Sequence, residues 1–139
     1  MPNEESEYSM NDYFIPLGGA DEIGASSYFL SVDGINILLD CGARLKENEL
    51  FPDYERILQE IDYSEIDFIL ISHAHFDHIG SLASIAARAE NAEIITTQDT
   101  KTLISMQLLD LGRVSNHKES ERIINERLRQ TQLIISRIH

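Results

Sequence analysis

The apolar residues of this chain fall into short blocks whose period changes from one block to the next. Tyr13-Phe14-Ile15-Pro16 begins the first block, and Leu17-Gly18-Gly19-Ala20-Asp21-Glu22-Ile23-Gly24 follows as a glycine-marked turn. Ser27 to Val32 reads as a strand. Asp33-Gly34 is a strong two-residue hairpin signal, and Ile35-Asn36-Ile37-Leu38-Leu39 is the returning strand, ending at Asp40-Cys41-Gly42. The opening of the chain is therefore expected to be an antiparallel hairpin. Residues 43–52 read as a loop, with Pro52 suited to the first turn of a helix, where a missing N–H costs little. Tyr54, Ile57, Leu58 and Ile61 then fit a 3.6-residue period. The run from Ile66 to Ile71 is short and apolar, as in a strand buried on both faces.

Gly80 and Ser81 lead into a small-residue helix from Leu82 to Ala89, and Glu93 to Thr97 reads as the next strand. A helix is expected over 99–110, with Leu103, Met106, Gln107 and Asp110 at helical offsets and Gly112 as its stop. A longer helix is expected over 118–138, holding Ile124, Leu128, Ile135 and Ile138 on one broad face. A hairpin followed by alternating helix and strand predicts α/β layering. Residues 1–11 read as a disordered lead-in to the domain segment at 12–139, in a chain of about one domain's length.

Charge and cysteine content narrow the function classes. The net charge is −13, with 17 acidic and 3 basic side chains in residues 1–87 against 7 and 8 in residues 88–139. Taken alone, that balance argues against a nucleic-acid groove, which normally gathers Lys and Arg. Bound dications would offset part of it near a site. No apolar run approaches the roughly 20 residues of a membrane span. Cys41 is the single cysteine, so no internal disulfide can form, and a reducing, cytoplasmic location is expected.

The chemistry concentrates at Ser72-His73-Ala74-His75-Phe76-Asp77-His78. Three of the five histidines and one aspartate fall there, between a buried strand and a helix, where α/β folds place their sites. Imidazole and carboxylate suit zinc, and also manganese or iron. The plain alternative is a polar surface loop with chance histidines; a buried, metal-free cluster is disfavoured, because three imidazoles and a carboxylate are costly to bury without partners. Other candidates have plainer readings. Gly18-Gly19 to Gly24 lacks the Gly-Lys-Ser/Thr of a phosphate loop, so a tight turn is expected. Cys41 reads as a small buried hydrophobe, Glu22 as a solvated turn carboxylate, and His117 as a surface residue. Arg122, Arg127, Arg129 and Arg137 interleave with Glu119, Glu121 and Glu126, which predicts a salt-bridged solvated face.

His73-Ala74-His75-Phe76-Asp77-His78, preceded by Ser72 and followed by Ile79-Gly80, resembles the HxHxDH signature of the metallo-β-lactamase superfamily. Leu39-Asp40-Cys41-Gly42 resembles that superfamily's first motif. The segment Leu17 to Gly24 looks like the opening of the β-CASP nucleases, RNase J and the messenger RNA 3′-end endonuclease among them. The resemblance implies a four-layer αββα sandwich. It implies two divalent ions, zinc first and manganese as the alternative, with His73 and His75 on one ion and Asp77 and His78 on the other. Asp77 would also orient the attacking hydroxide, and Asp40 would steady the loop from behind the ligands.

The later histidine beside glycine and the later bridging aspartate of the superfamily have no counterpart here. His117 and His139 lack that context, and no aspartate follows Asp110. The expectation is the first part of such a domain, its second metal site incomplete. Exposed apolar surface is expected where a C-terminal half or a homo-oligomer partner would dock. The implied reaction is phosphodiester hydrolysis of RNA by a metal-bound hydroxide. Two readings stay beside it: hydrolysis of a small ester, thioester or lactam, and a non-catalytic interaction module.

Overall fold

The computed structural model describes residues 12–44, 51–113 and 120–139. The expected lead-in at 1–11 lies outside them, as do His117 and Glu119. Five strands form one mixed sheet in the order β1-β2-β3-β4-β5: Tyr13–Gly18, Ser27–Val32, Ile35–Leu39, Phe68–Leu70 and Glu93–Ile95. The first three run antiparallel, while β3–β4 and β4–β5 are parallel. The hairpin is where its turn residues place it. Asp33 (φ 50°) and Gly34 (φ 77°) both take the left-handed conformation that a tight two-residue turn requires.

Helices follow at Phe76–Ile79 (α1), Leu82–Arg88 (α2), Gln98–Arg113 (α3) and Glu121–Ser136 (α4). A 3-10 turn occupies Tyr54–Gln59 where the period suggested an α-helix; it buries Tyr54 and Ile57 but leaves Leu58 exposed. The helix face expected on α3 is corrected. Leu103 and Met106 are exposed, and Ile104 and Leu108 are the residues packed into the core. Gly112 lies inside that helix instead of ending it. On α4, Thr131 and Ile134 are the buried positions, with Ile124, Leu128 and Ile135 half-buried beside them. Ile138 has left the helix. It bridges Ile94 in parallel, His139 N–H donates to the Ile94 carbonyl (2.7 Å), and Thr96 N–H donates to the His139 carbonyl (3.0 Å). Chain just past α4 thus begins to extend the sheet beyond β5.

One face of the sheet is covered. The row Ile15, Phe29, Leu38, Ile69 and Ile94 runs across all five strands and joins Ile57, Leu82, Ile85, Ile104, Leu108 and Ile134 in a single core. The other face carries Phe14, Leu30, Ile37 and Phe68 in one row and Tyr28, Leu39, Leu70 and Ile95 in the next. None of these eight is buried. Phe14 and Tyr28 stack on one another at 5.7 Å, and Phe14 remains 55% exposed. β4 is therefore buried on one face, not on both. The described residues make a helical layer and a sheet layer, half of a four-layer sandwich.

Arg137 corrects the reading of the basic helix. Its guanidinium donates to the carbonyls of Ala86 (2.6 Å), Ala89 (2.7 Å) and Ala92 (2.9 Å), closing the end of α2. Arg129 keeps the expected exposed pairing, with Glu126 at 2.7 Å.

Candidate metal centre

Strand register builds the site. Leu39 pairs with Leu70 across parallel β3 and β4, so the residues just beyond each strand emerge side by side. Asp40 follows one strand and Ser72 the other. Asp40 N–H donates to the Leu70 carbonyl (2.9 Å), and Ser72 N–H donates to Asp40 Oδ1 (2.7 Å). The Ser72 hydroxyl donates to Asp40 Oδ2 (2.6 Å), which also takes a hydrogen bond from His78 Nδ1 (2.7 Å). Asp40 itself stands at φ 58°, a conformation that costs a non-glycine residue on the order of 1–3 kcal/mol and persists only when its surroundings fix it.

Those surroundings are a buried polar frame. The Ser27 hydroxyl donates to the Asp40 carbonyl (2.8 Å), and the Ser81 hydroxyl donates to the Gly42 carbonyl (2.7 Å). The Ser81 proton is thereby committed, so Tyr54 O–H donates to Ser81 Oγ at 2.6 Å. Cys41 N–H donates to the His78 carbonyl, Ser26 N–H to the Asp77 carbonyl, and Ser81 N–H to the Cys41 carbonyl. Gly42 is required for this lacing. A Cβ there would stand 1.8 Å from the Asp77 carbonyl oxygen. Burial, and then the charge on Asp40, push the Cys41 thiol far above its ordinary range; burial, and then Cys41, do the same to the Tyr54 phenol. Both stay neutral near pH 7, which suits Cys41 to the packing role expected of it and removes it as a nucleophile.

The histidine loop rides on this frame. His75 caps the single turn α1, its carbonyl accepting from His78 and Ile79 N–H. His73, Asp77 and His78 each bring one ligand atom to within 4.8 Å of the others. The rings of His73 and His78 lie 3.8 Å apart, and His78 Nε2 is 3.6 Å from Asp77 Oδ2. His75 is exposed and stands edge-on to His73 at 4.9 Å, outside that set of three. The expected division into two pairs thus takes the form of one cluster with His75 alongside.

These donors fit a divalent ion. His78 Nδ1 is spent on Asp40, so its Nε2 is the nitrogen left to bind, and a carboxylate oxygen of Asp77 faces it. An imidazole nitrogen and a carboxylate oxygen at that spacing can share a cation. Glu22, expected as a solvated carboxylate, instead holds Arg44 at 2.6 Å with both side chains largely covered, tying the glycine turn to the segment after β3. Ser27, Tyr54 and Ser81 are supports that pattern reading missed; no local signal links three residues so far apart in sequence.

Comparison with known proteins agrees with this architecture. The model of the metallo-β-lactamase superfamily matches residues 20–105, more than half of the chain. The chain belongs to the metallo-β-lactamase superfamily. Among curated superfamily relatives it is similar to Integrator complex subunit 11 of Danio rerio (34% identical over 110 residues, 76% of this chain and 18% of that protein). It is also similar to cleavage and polyadenylation specificity factor subunit 3-I of Arabidopsis thaliana (33% over 117 residues, 80% and 16%). A third relative is the probable RNase MJ4 of Methanocaldococcus jannaschii (34% over 98 residues, 70% and 22%). The chain therefore spans less than a quarter of these relatives' lengths. A HARLDQ-motif mutant of a metallo-β-lactamase from Cronobacter sakazakii shares the fold, with a TM-score of 0.51 at 23% identity over 68% of this chain and 34% of that one.

Proposed function

We propose that this chain carries the front half of a metal-dependent phosphodiesterase site acting on RNA. The observation that carries the reading is the convergence of His73, Asp77 and His78 within 4.8 Å, over a carboxylate that already occupies one nitrogen of His78. Zinc is the first choice of ion, with manganese as the alternative, and a pair of ions is the expected complement. When bound, such ions supply a water acidic enough to ionise near neutral pH and positive charge against a phosphate. The chain's own part is to hold His73 and His78 by their Nδ1 atoms and to set Asp77 as both ligand and hydrogen-bond acceptor for the attacking water. Asp40 keeps the loop closed beneath them. His75, exposed and edge-on to His73 at 4.9 Å, would be the further ligand for one of the ions. RNA as substrate is supported by the similarity to a cleavage and polyadenylation specificity factor subunit and a probable RNase, beside an Integrator complex subunit.

The remaining ligands and the second sheet come, in this reading, from a C-terminal half or from a second copy covering the open face. Among the described residues no helix is long and apolar enough to cross a membrane. A reducing compartment such as the cytoplasm is proposed on the single, fully buried thiol. A second reading, hydrolysis of a small ester, thioester or lactam, is favoured by the net charge of −13, which repels a polyanion. A third, an interaction module without catalysis, is favoured by the open sheet face.

Metal analysis tests the core of the proposal. Purified protein is expected to carry zinc or manganese that a His73→Ala/His75→Ala double variant loses. A wild type that binds neither in a metal-replete preparation contradicts both enzymatic readings. Cleavage of single-stranded RNA against a generic phosphodiester and a thioester then sorts the substrate.

A further inference from the structure

The hydrogen bonds behind the histidines have directions that can be worked out by counting protons. Asp40, as a carboxylate, only accepts. Its Oδ2 lies 2.7 Å from His78 Nδ1 and 2.6 Å from Ser72 Oγ. His78 must therefore carry its proton on Nδ1, and Ser72 must spend its one hydroxyl proton on Asp40. Two oxygens at 2.6 Å with no proton between them would repel. Ser72 Oγ is also 3.0 Å from His73 Nδ1. With its proton committed, that oxygen can only accept, so His73 too must carry its proton on Nδ1. In the neutral form of each ring, Nε2 is then the nitrogen that carries the free electron pair.

We infer that Ser72 is a positioning residue: its hydroxyl relays the acceptor character of Asp40 to His73 and locks that ring as the Nδ1–H tautomer, presenting Nε2 to the cluster. One carboxylate thus fixes two imidazoles, His78 directly and His73 through a hydroxyl. The register of β3 and β4 makes this possible, since it sets Asp40 against both the backbone and the side chain of Ser72. The metal-facing consequence rests on the function proposed above; the tautomer assignment does not. The histidine that lacks such a partner, His75, is the one left outside the set of three.

Long-range 1H–15N correlation spectra of the uniformly labelled, metal-free full chain read each tautomer directly. Wild type is expected to show Nδ1–H on both His73 and His78. Ser72→Ala is expected to leave His78 locked and release His73 into a tautomer mixture, with zinc affinity, measured by competition with a chromophoric chelator, lowered tenfold or more. Ser72→Thr keeps the hydroxyl and should restore both. An Nε2–H His73 in the wild type overturns the relay, and so does a folded Ser72→Ala protein with unchanged tautomer and affinity. If that variant does not fold, the wild-type spectrum decides. A wild type with both tautomers locked that takes up no zinc leaves the relay standing and overturns the metal reading instead.

Discussion

Ile15, Phe29, Leu38, Ile69 and Ile94 form a row across five strands, and all but Ile15 are fully buried. One residue along, Phe14, Leu30, Ile37 and Phe68 form a second apolar row, and none of them is buried. Both faces of the sheet are written for a core, and only one has it. The metal loop beyond the carboxyl ends of β3 and β4 shows the opposite condition. Its backbone lacing, its glycine and its supporting hydroxyls are all in place among the described residues. The site's foundation is thus finished locally, from β3, β4 and the turns beside them, whereas closure of the domain depends on a layer these residues do not supply.

Substitutions can break this contrast, and the largest effect belongs to Gly42→Ala. Its Cβ would collide with the Asp77 carbonyl at 1.8 Å, so a loss of more than about 4 kcal/mol in chemical denaturation is expected. Next come two neighbours on opposite faces. Ile69→Ala should cost about 2–5 kcal/mol through an unfilled cavity, while Leu70→Ala, already partly wetted, should cost about 1 kcal/mol. Equal losses in paired urea melts would erase the distinction between the faces. Tyr54→Phe removes one donor to Ser81 and should cost about 1 kcal/mol, with the thermal midpoint as readout. Phe14→Ser should change stability by less than about 0.5 kcal/mol, yet reduce apolar-dye binding and self-association measured by sedimentation. Undiminished dye binding would mean that the open face is not the sticky one.

Much of this was legible in the chain itself, and the failures share a cause. The hairpin was plain because Asp33-Gly34 is a local signal with a backbone requirement behind it. The cluster was plain because its donors fall within six consecutive positions. The burial of α3 was not, since Leu103, Ile104, Met106, Leu108 and Leu109 are apolar nearly all round and only packing selects a side. Arg137 read as one charge in a basic run, although its partners are carbonyls 45 to 51 positions earlier. The meeting of Asp40 with Ser72, 32 positions apart, follows from parallel strand register, which no periodicity announces. The resemblance anticipated Asp40 as a support; that Ser72 passes the effect to His73 emerged only from distances.

Zinc K-edge X-ray absorption of the full chain, loaded with one equivalent of zinc, tests the central claim most directly. The account predicts at least two imidazole nitrogens and a carboxylate oxygen in the first coordination sphere, at about 2.0–2.2 Å. The nitrogen count should fall in His73→Ala and in His78→Ala. A spectrum of oxygen ligands alone, unchanged in those variants, would contradict it.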